Sequence, residues 1–211
     1  MIKVLIADDH QIVHHGLKSI LKEVLTIECI HDAFTGIEAI SLLKSNKYDL
    51  LFLDITMPDS DPVAVIKQAK EFDPAIKIMV FSMLSEKTYA LRLIEAGADG
   101  YIEKNQDKTE IQNAVKKILL GKKYISEELF FNSTEMLTGR KDVNPFNELS
   151  NNELVVVNHL IAGFTLNMIK QKMNLHASTV STYKKRIFEK LKIKSIVELI
   201  DLAEQHQIRH A

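Results

Sequence analysis

The sequence predicts a doubly wound, five-stranded parallel α/β domain followed by a small all-α domain of four helices. Two observations predict the first domain: five short apolar runs alternate with amphipathic segments, and most of these runs lack the polar/apolar alternation of a sheet with one wet face. A third observation predicts the second domain, because the chain beyond about residue 148 shows helical patterns and no convincing strand. We therefore expect a sheet covered by helices on both faces, then a compact helical module.

The elements of the first domain follow one another along residues 1–120. The apolar runs predict strands over residues 2–7, 27–31, 50–53, 76–81 and 99–102. Apolar residues at helical spacing predict helices over residues 11–25, 36–44, 62–72, 86–96 and 108–120. Thr35-Gly36-Ile37-Glu38 is typical of a capping box at the start of the second helix. Five strands, each followed by a helix, indicate a parallel sheet.

Residues 121–147 break this alternation. The segment opens with Gly121-Lys122-Lys123 and has Pro145 near its end, so it is predicted to be a linker with one short helix after Ser126. Residues 148–211 form the predicted second domain. Its helical patterns cover residues 152–162, 166–173, 177–191 and 195–205.

Charge is distributed unevenly between the two domains. Residues 1–120 carry 14 Lys and Arg against 18 Asp and Glu, whereas residues 148–194 carry eight against three. The basic balance of the second domain favours a polyanionic partner. No run of about 18 apolar residues is present, so we expect no membrane span. A single cysteine, Cys29, excludes an internal disulfide and fits a cytoplasmic protein.

The carboxyl ends of the predicted strands carry a candidate site. Asp8 and Asp9 follow the first strand, Asp54 the third, Ser82 the fourth and Lys104 the fifth. Ligands of parallel α/β sheets bind outside these ends. Clustered carboxylates repel one another unless a cation or protons neutralise them, and an all-oxygen ligand set favours Mg²⁺ over zinc or copper. A metal and a lysine beside a carboxylate suit phosphoryl transfer to that carboxylate.

These residues and their neighbours resemble the receiver domain of two-component response regulators. The resemblance covers residues 1–120 in order. It rests on Asp8-Asp9, Asp54-Ile55-Thr56-Met57-Pro58, Phe81-Ser82 and Gly97-Ala98-Asp99-Gly100-Tyr101-Ile102-Glu103-Lys104. It implies a flavodoxin-like fold in which a sensor histidine kinase phosphorylates Asp54.

The resemblance also implies a role for each remaining site residue. Asp9, Asp54 and the backbone carbonyl of Thr56 would bind Mg²⁺, with Asp8 assisting through water. Lys104 would pair with a phosphoryl oxygen. Ser82 and Tyr101 match the switch pair of receivers, in which the hydroxyl moves to the phosphate and the aromatic ring rotates inward behind it.

Two features of the first domain need separate interpretation: a departure from the receiver pattern after Lys104, and a pair of histidines that could bind a metal. Asn105 follows Lys104 where receivers usually have proline, which puts the turn that places the lysine in doubt. His10 and His14 are four residues apart and would share a helix face near Asp9, a spacing that can bind a transition metal. Since no third ligand is signalled elsewhere, solvated or packed histidines are the favoured interpretation.

Residues 177–191 hold the second informative pattern. Val180, Ile187 and Leu191 recur at helical spacing and would face the core. The residues that then point outward or flank that face are Ser178, Ser181, Thr182, Lys184, Lys185 and Arg186. Small hydroxyls followed by a basic cluster suit a helix inserted in the major groove of DNA, and a solvated cationic face is the alternative.

The surrounding sequence resembles the LuxR-type helix-turn-helix, also called the NarL/FixJ type, from about residue 148 to 205. The matching runs are Leu149-Ser150-Asn151-Asn152-Glu153, Ile161-Ala162-Gly163, Ile169, Thr179-Val180 and Lys190-Leu191. The run Val180-Ser181-Thr182-Tyr183-Lys184 resembles the branch that includes the BvgA and EvgA regulators.

This second resemblance implies two classes of contact with double-stranded DNA. Ser181, Thr182 and Lys185 would approach base edges. The residues implied near phosphates are Thr179, Lys184, Arg186 and Lys194. The last predicted helix keeps an apolar surface, which predicts a homodimer through that helix.

Two alternatives stay open at the level of sequence. Phosphohydrolases of the haloacid dehalogenase type also form an aspartyl phosphate, but they require a second Asp two positions after the nucleophile, where this chain has Thr56. The other alternative is a regulator that keeps the receiver fold only for dimerisation. We expect a response regulator and not an enzyme, in which phosphorylation frees the DNA-reading helix or promotes dimerisation.

Overall fold

The computed structural model describes residues 1–57, 60–126, 144–173, 175–206 and 208, with Asn147 described by its backbone alone. The chain divides into two compact units, Met1–Phe131 and Asn132–Ala211. The short helix predicted after Ser126 lies outside the described residues. Within the part of the chain that the structure describes, we find no helix with the length and hydropathy needed to cross a membrane.

The first unit is built on a five-stranded sheet with the strand order β2-β1-β3-β4-β5. The strands are β1 (Ile2–Ala7), β2 (Ile27–Ala33), β3 (Leu50–Leu53), β4 (Lys77–Ser82) and β5 (Gly100–Glu103). All four pairings are parallel, which confirms the predicted doubly wound sheet. The predicted strand ends differ from these by two residues at most.

Five helices connect and cover the strands. They are α1 (Gln11–Lys22), α2 (Gly36–Ser45), α3 (Pro62–Phe72), α4 (Glu86–Ala96) and α5 (Lys108–Leu119). The Thr35 hydroxyl accepts a hydrogen bond from the backbone N–H of Glu38, as the capping motif predicts. The Asp61 carboxylate caps α3 in the same way, by accepting from the N–H of Val63.

Burial explains why the third strand is apolar throughout. Each residue of β3 is at most 1% exposed, because helices cover the sheet on both faces. On one face α1 and α5 contribute Leu17, Leu21, Ile111 and Ile118 to the core that packs on β1, β3 and β4. β3 is therefore enclosed along its whole length, and its first polar neighbour, Asp54, follows at its carboxyl end.

The second unit is a compact bundle of four helices, as predicted. A 3₁₀ turn (Pro145–Glu148) leads into α6 (Asn151–Ile161), α7 (Leu166–Lys172), α8 (Ala177–Leu191) and α9 (Ile196–Gln205). Buried Glu153 joins two of them, since its Oε2 lies 2.6 Å from Lys190 Nζ and 2.7 Å from the backbone nitrogen of Ser150. The first contact ties α6 to α8, and the second completes a capping box at the start of α6.

Candidate functional site

The carboxyl edge of the sheet brings the predicted charged residues together. Asp8 and Asp9 follow β1, Asp54 follows β3 and Lys104 follows β5. Lys104 Nζ lies 2.7 Å from Asp8 Oδ2 and 2.8 Å from Asp54 Oδ2, so one ammonium bridges two carboxylates. The ligand atoms of Asp8, Asp9, Asp54 and His10 all lie within 4.8 Å of one another. We call these residues, with Lys104, the acidic pocket.

The acidic pocket is buried at Asp8 and Asp54 and open to solvent at Asp9. The side chain of Asp54 is fully buried and that of Asp8 is 2% exposed, whereas that of Asp9 is 33% exposed. Burial raises the pKa of Asp8, and the hydrogen bond from Lys104 only partly offsets this effect. Asp54 and Asp8 together outweigh the burial of Lys104 and raise the pKa of its ammonium. Three carboxylates against one ammonium leave a surplus of negative charge that a cation could neutralise.

Thr56 contacts the Asp54 carboxylate through two groups. Its backbone N–H donates to Asp54 Oδ1 over 3.1 Å, and its hydroxyl donates to Asp54 Oδ2 over 2.8 Å. The sequence predicted a role for this residue through its carbonyl only. A hydroxyl two residues beyond an aspartate can fold back onto it in a local turn, and this short-range pattern could have revealed the contact.

Ser82 is the last residue of β4 and Tyr101 lies on β5. Both side chains are buried. The phenol of Tyr101 donates to the carbonyl of Leu84 over 2.8 Å, and the Ser82 hydroxyl accepts from the N–H of Leu84 over 3.3 Å. Tyr101 is 1% exposed, and burial raises its pKa well above the usual value. Its ring is therefore packed inside the first unit.

The two histidines weighed as a metal pair separate into different environments. His14 is buried, with Nδ1 at 2.8 Å from Asp32 Oδ1 and Nε2 at 2.7 Å from the Asp8 carbonyl. Both of its nitrogens are therefore occupied, which is the packed arrangement favoured from the sequence. His10 joins the acidic pocket, with Nδ1 at 2.9 Å from Asp9 Oδ1.

The turn after β5 places Lys104 in the acidic pocket. Asn105, which stands where receivers usually have proline, does not prevent this. The N–H of Lys104 donates to the Ser82 carbonyl over 2.8 Å, and the N–H of Gln106 closes the turn on the Glu103 carbonyl over 3.1 Å. These two backbone bonds orient the lysine. The departure at Asn105 thus leaves the position of the ammonium intact.

Residues 121–126 follow α5 and contact β5 at Tyr124, and we call them the edge segment. Tyr124 forms an isolated parallel bridge with Gly100. The N–H of Tyr101 donates to the Tyr124 carbonyl over 2.9 Å, and the N–H of Tyr124 donates to the Asp99 carbonyl over 3.0 Å. The N–H of Ser126 donates to a Glu86 carboxylate oxygen over 2.7 Å. The first residues after α5 therefore belong to the packed structure of the first unit.

In the second unit, α8 buries Val180, Ile187 and Leu191, as its spacing predicts. This orientation presents most of the predicted DNA-contacting residues to solvent. Exposed are Ser181, Thr182, Lys185, Arg186 and Lys194, while Thr179 and Lys184 are partly buried.

The contacts on this exposed face are few and weak. Lys185 Nζ lies 3.8 Å from Glu189 Oε1, and both side chains are more than half exposed. Lys184 Nζ lies 5.3 Å from the centre of the Phe188 ring. The Thr182 hydroxyl donates to the Ser178 carbonyl over 2.8 Å, and its oxygen stays available as an acceptor. The face is therefore cationic and free to meet a polyanion.

Known proteins match both units. Residues 4–116 match the response regulator receiver domain, and residues 147–203 match the bacterial regulatory proteins of the luxR family. The chain is 35% identical to the Fimbriae Z protein of Salmonella typhimurium, with 97% of each chain covered. It is 31% identical to the response regulator GacA of Pseudomonas aeruginosa, with 98% of this chain and 97% of the relative covered. A solved RcsB–DNA complex is similar at 25% identity and a TM-score of 0.56, over 96% of this chain and 98% of that one.

Proposed function

The chain belongs to the two-component response regulators that combine a receiver domain with a LuxR-type domain of the NarL/FixJ class, and we propose that its phosphoacceptor is Asp54. This family consists of regulators and not of enzymes. One observation carries the proposal: a fully buried Asp54 carboxylate is held by Lys104, beside Asp8 and Asp9. A sensor histidine kinase supplies the phosphoryl group. The domains are residues 1–120 and 148–211, joined by residues 121–147, of which 121–126 pack on the first unit.

The donor set of the acidic pocket fits a hard divalent cation. Asp8, Asp9 and Asp54 offer oxygen atoms, and their charge exceeds that of the one ammonium among them. These residues and the Thr56 carbonyl would hold Mg²⁺, the cation that such oxygen donors favour. When bound, it neutralises the charge on the transferred phosphoryl oxygens.

The residues of the pocket then act on the phosphoryl group. An Asp54 carboxylate oxygen attacks phosphorus and forms a P–O bond, while the P–N bond to the kinase's phosphorylated histidine breaks and the imidazole leaves with that electron pair. The Lys104 ammonium exchanges its contact with the carboxylate for one with a phosphoryl oxygen. Ser82 turns its hydroxyl to another phosphoryl oxygen. Tyr101 fills the space behind Ser82, which stabilises the phosphorylated arrangement of β4 and β5.

DNA is the partner of α8. Its exposed cationic face supports this part of the proposal, as does the family match over residues 147–203. Ser181, Thr182 and Lys185 approach base edges, as the LuxR-type resemblance implies, and residues 180–184 resemble the BvgA and EvgA branch. The residues near phosphates are Thr179, Lys184, Arg186 and Lys194. The similar RcsB protein has been solved as a complex with DNA.

The homodimer forms through α9. Leu199 and Ala203 of this helix are buried within the unit, whereas Val197 is 66% exposed. An exposed valine between partly buried Ile196 and Ile200 gives α9 an apolar patch that a second copy can cover. Like its family, the protein acts in the cytoplasm.

The test compares wild type with Asp54→Ala and with Glu71→Ala, which removes an exposed carboxylate of α3 as a matched control. Each protein receives Mg²⁺ with acetyl phosphate or beryllofluoride, and light scattering and DNA titration then report oligomer size and affinity. We expect a response in wild type and Glu71→Ala, its loss in Asp54→Ala, and its loss with EDTA. An unchanged response in Asp54→Ala would refute phospho-control through this residue.

A further inference from the structure

A second charged cluster lies at the amino end of the sheet, opposite the acidic pocket. Here a single carboxylate, that of Asp99, is surrounded by three lysines. Lys70 Nζ lies 2.8 Å from Asp99 Oδ2, whereas Lys77 Nζ and Lys123 Nζ each lie 3.8 Å from Oδ1. Asp99 Oδ2 also accepts from the N–H of Ile78 over 3.0 Å. The cluster therefore carries more positive charge than its one carboxylate can balance.

The three ammonium groups are not equally well paired. Lys70 has the closest contact with Asp99 and also donates to the Ile76 carbonyl. Lys123 donates to the Ala98 carbonyl, a neutral acceptor, and reaches the carboxylate only at the longer distance. Burial lowers the pKa of Lys123, and Lys70 and Lys77 lower it further, with Asp99 opposing them. Lys104, which has two close carboxylates, shows the opposite shift.

Lys123 is at the same time accessible. Its side chain is 44% exposed, against 22% for Lys70 and 28% for Lys77. A lysine amine that is partly desolvated and placed next to other cations is an activated nucleophile, because it loses its proton more readily. Lys123 therefore combines activation with access to small reagents.

We propose that Lys123 is an acylation site whose amine accepts the acyl group of small acyl phosphates. The lone pair of neutral Nζ attacks the carbonyl carbon and forms a C–N bond. The C–O bond to phosphate breaks, phosphate leaves with that electron pair, and the nitrogen releases one proton to solvent. The products are an N-acyl lysine and inorganic phosphate. Lys70 and Lys77 place positive charge near the departing phosphate.

The modification falls on the edge segment, next to the residue that pairs with β5. Acylation removes the charge of Lys123 and leaves Asp99 with Lys70 and Lys77, so no buried carboxylate loses its last partner. The amide N–H of an acylated lysine can still donate to the Ala98 carbonyl. Acylation is therefore compatible with the fold, and it changes the charge beside the Tyr101–Tyr124 backbone bond.

The first test measures acetylation rates in the full-length chain. Acetyl phosphate is added to the Asp54→Ala variant, so that aspartyl phosphate does not contribute, and peptide mass spectrometry follows Lys123 and its neighbour Lys122. We expect Lys123 to react at least about threefold faster near neutral pH, with the ratio falling as pH approaches the ordinary lysine pKa. Equal rates at the two lysines overturn the proposal.

A second test asks whether the neighbouring cations cause the reactivity of Lys123. Lys77→Gln removes one neighbouring cation and should slow Lys123 about twofold or more while leaving Lys122 unchanged; Lys44→Gln, on α2, is the matched control. Acetic anhydride, a neutral donor, should preserve the preference for Lys123, because the preference originates in the amine. A preference seen only with acetyl phosphate, or no effect of Lys77→Gln, contradicts an activated lysine.

Discussion

The acidic pocket and the exposed face of α8 both present charged side chains, but they hold them in opposite ways. Lys104 is 8% exposed and bridges two buried carboxylates at 2.7 and 2.8 Å. Lys185 is 77% exposed, and its partner Glu189 lies 3.8 Å away in solvent. The pocket charges fix one another before any ligand arrives, at a cost in desolvation. The charges of α8 stay hydrated until they meet DNA. Substitutions in the acidic pocket should therefore change the stability of the fold, whereas substitutions on the exposed face of α8 should change the affinity for DNA.

The largest expected effect is that of Lys104→Met. The substitution leaves Asp8 and Asp54 buried without their shared cation, and removing one partner of a buried ion pair costs about 3 kcal/mol. We expect the free energy of unfolding of the first unit to fall by roughly this amount in EDTA, and by less in Mg²⁺, which supplies replacement charge. Urea unfolding followed by tyrosine fluorescence measures it, since four of the five tyrosines lie before residue 127.

Lys108→Met is the control for this prediction. Lys108 pairs with Glu23 at 2.6 Å, but both side chains are about half exposed. Water screens a surface pair of this kind, so its loss should change the free energy of unfolding far less than the loss of Lys104. Similar losses in the two variants would show that the pocket does not hold its charges more tightly than the surface.

The next effect is that of Lys185→Ala on DNA binding. Loss of a contact to a base edge should weaken binding to a specific site about tenfold, with little change for unrelated DNA. The exposed position predicts no change in the unfolding curve. Equal losses on specific and non-specific DNA would remove the base-reading role.

A smaller and opposite effect is expected for Asp8→Asn. Burial raises the pKa of Asp8 in the folded protein, so ionising this carboxyl costs stability once pH rises through that pKa. The amide avoids the cost, and Lys104 keeps its contact with Asp54. Without metal, the variant should be more stable than wild type at pH 7, where the wild-type carboxyl must ionise in a buried position. The gain should vanish below the usual Asp value of 3.8.

Chemical denaturation across a pH series in EDTA tests whether Asp8→Asn is stabilising at neutral pH. Mg²⁺ should shrink the gain, because wild type then uses the carboxylate to hold the metal. A gain that persists unchanged at low pH would contradict the assignment to ionisation.

The smallest effect is expected for Lys194→Ala. A phosphate contact contributes charge and little sequence information. Affinity should fall by a similar factor for every DNA sequence, and the slope of log affinity against log salt should decrease by about 1. Fluorescence anisotropy at several salt concentrations gives the slope. A loss confined to one sequence would place Lys194 near a base instead.

The acidic pocket could be predicted from sequence because its geometry follows from topology. Once β1, β3 and β5 are parallel neighbours or near neighbours, the residues after them must meet at one edge. Asp8, Asp54 and Lys104 required no further information. The orientation of α8 was predictable for a similar reason, since three apolar residues at helical spacing fix which face is buried.

Other contacts could not be predicted because no local pattern carries them. The bond between Tyr101 and Tyr124 joins residues on either side of α5, and the lysines around Asp99 come from three separate elements. The end of α1 illustrates a different difficulty. The apolar spacing continues to Leu25, but the helix ends at Lys22, and Leu25 packs on the same core from the turn that follows.

The edge segment also determines how β5 meets other chains. β5 is an outer strand, and the unpaired backbone groups of such strands are templates for association with a second sheet. Tyr124 occupies two of these groups, at Asp99 and Tyr101. A Cβ on Gly100 would lie 3.0 Å from the Tyr124 side chain and carbonyl, so glycine permits the close approach. Gly100 thus helps to protect the protein from edge-to-edge aggregation.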